Sequence, residues 1–374
     1  MARHYLDHAS TSPARAQVVE AMLPWLGAAA DPGRVHTEGR LSRAAVEDAR
    51  ERVAALLGAR PREVVLTSGA TEAIATAVHG ATGRGNHVVC PAVEHSAVRD
   101  ASARHDVTMV AVDARGRVDP EEIVAAVRPG ETALVHLQWA NHEVGTLQPV
   151  TEVVAACRER GVLVHVDAAA AVGHVPVDFA ALGADLLSVS AHKLGGPQGV
   201  GALLVRRGLR LRPLLVGGEQ ERSRRAGTEN VAGIVGFGAA AEVLAGSDHL
   251  ASEAAAHRRL TTRALREATA VAGVVTYGDT EGRLPHLVCI GVAGVEAEAV
   301  LLGLDQAGVA AHSGSACSSE SLEPSPVLEA MGVDAERSLR VSVGWSSTDA
   351  DVDAFNRAFP EVVARLRALR PAGD

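Results

Sequence analysis

Between Glu63 and about Arg207 short apolar runs alternate with helical patterns, and this alternation constrains the fold more than any other feature. The predicted strands are 64–67, 87–90, 107–112, 133–137, 163–167, 186–190 and 201–205. Helical patterns over 70–79, 94–104, 120–127 and 150–160 fill the intervals. Strands that alternate with helices predict an α/β protein whose mainly parallel seven-stranded sheet is covered on both faces. Such sheets bind ligands at the carboxyl ends of their strands. After Gly246 the pattern changes to a helix over 250–270, a strand over 287–292, a helix over 296–307 and a strand over 339–343. That region predicts a smaller α+β domain, and a length of 374 residues suits two domains.

Net charge −9 argues against a nucleic-acid or anionic-membrane surface. The start Met1-Ala2-Arg3-His4 lacks the apolar stretch of a signal peptide. The longest apolar run, 231–246, is broken by Glu242 and reads as a buried helix rather than a membrane span. Cys90, Cys157, Cys289 and Cys317 form no C-x-x-C pair, so neither a metal site nor a disulfide framework is expected. A reduced, cytoplasmic setting fits them.

Of 36 basic residues, one is lysine, Lys193. Arginine stays protonated and cannot serve as an amine nucleophile. The one lysine is therefore a candidate for imine chemistry, or a stray surface residue if its surroundings are bland. They are not bland. It ends the run Ser188-Val189-Ser190-Ala191-His192-Lys193, ahead of the glycine-rich Leu194-Gly195-Gly196-Pro197-Gln198-Gly199.

Other strand ends carry matching chemistry. Thr67-Ser68-Gly69-Ala70-Thr71-Glu72 lies at a strand-to-helix junction, where helix N–H groups and the Thr71 hydroxyl would hold an anion. The ordinary alternative is a helix cap at Ser68 or Thr71. Ser190, His192 or Thr228 would add phosphate contacts. Asp167 ends its strand, where an acid can keep a pyridinium nitrogen protonated, as pyridoxal 5′-phosphate (PLP) requires. His95 also follows a strand and could stack on a flat ring. Arg340, on an apolar strand, suits a bidentate carboxylate clamp. Cys317, in the small polar segment 312–319, is a candidate nucleophile, whereas Cys90, Cys157 and Cys289 lie in apolar segments and read as core.

The chain resembles the cysteine desulfurases, PLP enzymes of the class-V aminotransferase group with fold type I. The matching stretches are 5–13, 67–72, Glu94-His95, Asp167-Ala168-Ala169, Ser190-Ala191-His192-Lys193, 225–230, 315–319 and Leu339-Arg340-Val341-Ser342. The resemblance implies a homodimer. Residues 13–247 would form the large PLP-binding domain, and residues 1–12 with 248–374 the small domain carrying the Cys317 loop. Lys193 would bind PLP covalently, while Ala70, Thr71, Ser190 and His192 hold its phosphate and Thr228 reaches in from the other subunit. Asp167 would pair with the pyridine nitrogen, His95 would stack on the ring, and Arg340 would bind the substrate carboxylate. Cys317 would take sulfur from L-cysteine as a persulfide, release L-alanine, and pass the sulfur to an acceptor protein, for example toward iron–sulfur clusters.

Three positions depart from the family pattern. His142 stands where the family has Asn and can still donate toward the PLP phenolic oxygen. Ala170 stands where the family has Gln and cannot. Asp31-Pro32 replaces an Asn-Pro near the substrate, ahead of His36, and marks Asp31 and His36 as candidate substrate contacts. These changes keep two other readings open. One is a PLP lyase for another carbon–sulfur or carbon–selenium substrate; the other is a non-catalytic scaffold for sulfur-carrier partners.

Overall fold

The computed structural model describes residues 3–246, 248–313 and 324–369. Among these described residues twelve strands follow in chain order. They are β1 (His4–Tyr5), β2 (Val64–Thr67), β3 (His87–Pro91), β4 (Asp106–Val110), β5 (Thr132–Gln138), β6 (Leu163–Asp167), β7 (Leu186–Ser190), β8 (Gly201–Val205), β9 (Val274–Tyr277), β10 (Leu287–Val292), β11 (Val309–Ala310) and β12 (Ser338–Ser342). Seven of them form one sheet in the order β2-β8-β7-β6-β5-β3-β4. Only β8 runs against its neighbours, so the sheet is mainly parallel as predicted. β2, β3, β6, β7 and β8 are buried along their whole length and β5 along all but its first residue, the mark of a sheet covered on both faces; most of these residues are apolar, with His136, His165 and Ser188 among the polar exceptions.

The carboxyl ends of β2, β3, β5, β6 and β7 come together, and the chain leaves each through a different local device. After β2, Gly69 occupies the cap position of helix Ala70–Ala81 at φ +155°, a conformation that only glycine adopts easily. Neither Ser68 nor Thr71 caps this helix, contrary to the sequence alternative, and Gly69 has no side chain to do so. The unpaired N–H groups of the first turn therefore remain available. After β3, His95 accepts a hydrogen bond from Ala97 N–H at 3.0 Å. This cap starts the helix at Ser96, two residues later than expected. After β7 the chain turns tightly through Ala191–Lys193.

Around the large sheet, Val18, Val46, Leu57, Val89, Leu137 and Phe237 belong to one buried cluster. The apolar helix Val231–Ala245 lies in it, packed on helices Ala16–Leu26 and Thr37–Leu56. Among the described residues no single helix is long and apolar enough to cross a membrane. A second cluster gathers Leu260, Ile290, Leu339, Phe355 and Phe359 around the antiparallel sheet β12-β10-β9. Leu6 joins it because β1 pairs with β11.

Before Thr228 the backbone makes a left-handed turn without glycine: Glu221, Arg222 and Ser223 have φ of 48°, 58° and 61°. Such conformations persist only where surrounding contacts enforce them. Here the buried Glu221 carboxylate takes two hydrogen bonds from Arg50, both 2.7 Å, and one from Leu66 N–H at 2.9 Å. Glu221→Ala would remove the buried carboxylate from Arg50 and leave it only the Val64 carbonyl at 3.0 Å and the more exposed Glu47 at 3.2 Å. It should lower the unfolding free energy by roughly 3–5 kcal/mol, measured from the urea midpoint. Breaking the exposed Arg259–Asp349 pair should leave that midpoint nearly unchanged.

Candidate active site

The strand ends enclose a cavity of about 550 Å³, a size common for small-molecule sites. Ala70, Thr71, His95, His142, Asp167, Ser190, His192, Lys193 and Arg340 all line it. The helix start, the lysine and the acid therefore face one space, although they are far apart in sequence.

Asp167 is buried at the end of β6. Its Oδ1 accepts hydrogen bonds from Ser188 Oγ and Ala169 N–H, both at 3.0 Å. These bonds fix the carboxylate and leave Oδ2 without a partner among the described residues. His192 meets Thr11 Oγ1 through Nδ1 at 3.1 Å. Burial, reinforced by the Lys193 charge, pushes its pKa down to about 4, so the ring is neutral near pH 7. Glu72 is partly buried, which alone would raise its pKa. Hydrogen bonds from Arg225 and Ser68 N–H outweigh burial and hold the carboxyl below its usual value. That ion pair anchors the Ser68–Gly69 turn.

Arg340 reaches the cavity already engaged. It donates to His142 O at 2.9 Å and to Asp7 Oδ1 at 2.8 Å, while its buried Nε has no partner among the described residues. The expected open fork is thus partly closed by the N-terminal segment. The His142 ring meets the His95 ring edge-on at 4.8 Å. Ala170 also lines the cavity, and its methyl supplies no hydrogen bond.

Three expected contacts lie elsewhere. Thr228 lines a neighbouring pocket of about 120 Å³ that shares Ser68 and Gly199 with the main one. Asp31 is outside the cavity lining, where it accepts from Gly33 N–H and pairs with Arg34 in its own turn. His36, also outside, accepts from Gly39 N–H and caps helix Thr37–Leu56. Both are consumed by local structure of a kind that short polar and ring side chains readily form. Cys317 lies outside the described residues.

Sequence reasoning gave no role to Gln138, Thr11 or Gln198, which also line the cavity, nor to Glu94 behind it. Glu94 is buried and its Oε1 accepts from Gln138 N–H. Burial, with the Asp167 charge nearby, pushes its pKa well above the usual carboxyl range. It stood beside His95 in the sequence, but nothing there marked it as buried.

The remaining thiols are unsuited to attack. Cys90, Cys157 and Cys289 are buried. Burial raises the Cys157 thiol to about 11 and the Cys289 thiol to about 12, and carries Cys90 well above its ordinary value.

An unusual number of histidines are buried. Burial lowers His8 to about 4 and His136 and His174 to about 3, and holds His165 and His286 well below 6.5. Unfolded, these rings take up protons once the pH falls below 6.5; folded, they resist until much lower pH. Stability is therefore fully present above pH 6.5 and is lost as pH falls toward 4, by roughly 1.4 kcal/mol per pH unit for each such ring. The thermal midpoint should drop steeply from about pH 6.5 to about pH 5. A flat midpoint over that range would show that these rings are not buried neutral.

Comparisons with known proteins fit this geometry. A family model described as aminotransferase class-V matches residues 4–355. The chain is 42% identical over 382 residues to a cysteine desulfurase of Trichormus azollae, covering 98% of this chain and 94% of that protein. It is 39% identical over 381 residues to the cysteine desulfurase IscS of Dictyoglomus turgidum, covering 98% of this chain and 96% of the other. A solved NifS-like protein superposes with a TM-score of 0.90 at 32% identity, covering 97% of this chain and all of the other.

Proposed function

The chain belongs to the class-V aminotransferases, among the cysteine desulfurases, and from that premise we propose that its cavity converts L-cysteine to L-alanine and a persulfide on Cys317. The observation that carries this reading is the position of the only lysine, which lines one cavity with Asp167, His95 and the start of helix Ala70–Ala81.

The residues fit PLP. Ala70 and Thr71, with Ser190 and His192, offer donors for a phosphate. Asp167 keeps Oδ2 for a protonated ring nitrogen, and His95 offers a flat face. When bound, PLP supplies an electron sink for the substrate carbons. Lys193 is the point of covalent attachment and the group that then moves protons at the substrate carbon. Arg340 orients the substrate carboxylate, which would share the guanidinium with Asp7. The Cys317 thiolate forms a bond to the substrate sulfur while the carbon–sulfur bond breaks. That electron pair goes to carbon, which takes a proton and leaves as alanine. The persulfide then passes to a thiol on an acceptor protein.

In a homodimer, Thr228 of a second copy would complete the phosphate site. Within its own chain Thr228 does not line the main cavity, which supports a role toward a second copy. The same reading keeps residues 13–247 as the PLP-binding part and residues 1–12 with 248–374 as the part carrying Cys317, in a cytoplasmic enzyme. Leu6 in the C-terminal cluster supports that division.

Borohydride treatment of the PLP-loaded protein tests the attachment. Peptide mapping should find one pyridoxyl group, on Lys193. A reduced adduct elsewhere, or none, would remove the basis of the proposal.

A second reading is favoured by Ala170 and by the His142–His95 ring pair, namely that the substrate is another carbon–sulfur or carbon–selenium amino acid. Under that reading the double change His142→Asn with Ala170→Gln should raise turnover of cysteine. No gain counts against it.

A further inference from the structure

Behind Lys193, away from the cavity, lies a second group of histidines that the chemistry above does not use. His174 follows the turn that leaves β6, and its ring is buried. The ring hydrogen-bonds the main chain of Lys193, and this bond favours the protonated ring, which identifies the ring as donor and the Lys193 carbonyl as acceptor. Nδ1 of His174 has no partner among the described residues. Nε2 is therefore the nitrogen that reaches Lys193, and in the neutral ring it holds the proton.

Two further rings hold His174 in place. His286 stacks on it, with centroids 3.4 Å apart and planes 14° from parallel. His257 lies 6.1 Å away at 54° and hydrogen-bonds the backbone at Gly344. The preceding residue makes an independent contact. Gly173 has φ +86°, and a Cβ there would come within 2.6 Å of Leu194 Cβ. Two consecutive residues of one turn thus abut Lys193 and Leu194. A purely structural core would be better filled by leucine or methionine, because each unpaired buried nitrogen of His174, His257 and His286 opposes folding.

We propose that His174 is a positioning residue for Lys193: the Gly173–His174 turn grips the Lys193–Leu194 backbone and so fixes where the amine stands in the cavity. The inference rests on the reading of Lys193 as the site of PLP attachment. A backbone held from behind leaves the side chain free to bond and release while its origin stays fixed. Placement errors of about 1 Å can reduce rates by as much as 10²-fold.

The test uses the PLP-loaded full chain and three variants. His174→Leu removes the donor, His174→Gln keeps an N–H donor without the ring, and Gly173→Ala pushes a methyl against Leu194. The readouts are the pH titration of the visible PLP absorbance, which reports the Lys193 linkage, and kcat and KM for cysteine. His174→Leu should lower kcat on the order of ten- to a hundredfold, with KM within about twofold. It should also move the titration midpoint by about half a pH unit or more, roughly threefold in the equilibrium. His174→Gln should recover most of both, and Gly173→Ala should resemble His174→Leu. If His174→Leu does not fold, Gly173→Ala and His174→Gln decide by the same readouts. Wild-type titration and kcat in a folded His174→Leu or Gly173→Ala protein would overturn the proposal. Borohydride labelling of wild-type Lys193 separates the two failures. Labelling with unaffected variants defeats only the positioning role, whereas no labelling defeats the attachment reading itself.

Discussion

Lys193→Ala should abolish the visible absorbance of bound PLP and reduce cysteine turnover by at least about 10³-fold, within the range that loss of covalent attachment and of a positioned proton carrier predicts. The sequence makes the expectation unusually clean, because no second lysine exists to take over. Lys193→Arg should be equally inactive. A guanidinium retains charge and length but cannot lose its proton to become a nucleophile. Both variants should fold, since Lys193 lies in a turn facing the cavity and the surrounding core is untouched. Unchanged far-ultraviolet circular dichroism with lost absorbance is the expected pair of results. Turnover above about a tenth of wild type in Lys193→Ala would contradict the account.

Cys317→Ala should keep the full PLP absorbance and lose sulfide release and protein-bound persulfide, again by at least about 10³-fold. Burial raises the thiols of Cys90, Cys157 and Cys289 far above neutral pH, so none of them supplies a thiolate. Cys317 alone lies in a stretch of small, mostly polar residues with no large apolar neighbour. Turnover of cysteine that survived this substitution intact would remove Cys317 from the relay and point to direct release of sulfide.

The sheet was legible because its strands are short, apolar and bounded by turn residues, and β6 and β7 occur within their predicted bounds. The cavity was legible for the same reason. Lys193, Asp167, His95 and Thr71 each follow or end a strand, so one topological rule brings them together. What escaped depends on contacts between distant segments. β1 has two residues, too few for any periodicity, so only the family resemblance implied an N-terminal strand, and its pairing with β11 was not readable from the pattern. The Asp7–Arg340 pair joins opposite ends of the chain. The left-handed turn at Glu221–Ser223 runs against local preference and exists through Arg50, remote in sequence. Asp31 and His36 illustrate the converse. Their residue types suited a binding role, but nearby backbone donors take up their acceptor atoms first.

The most direct measurement is made on the purified protein with PLP, L-cysteine and a thiol reductant, following sulfide and alanine together. Both products are expected, in equal amounts. Neither product, from a protein whose Lys193 is shown by borohydride to carry PLP, would contradict this expectation and identify a PLP enzyme with another substrate.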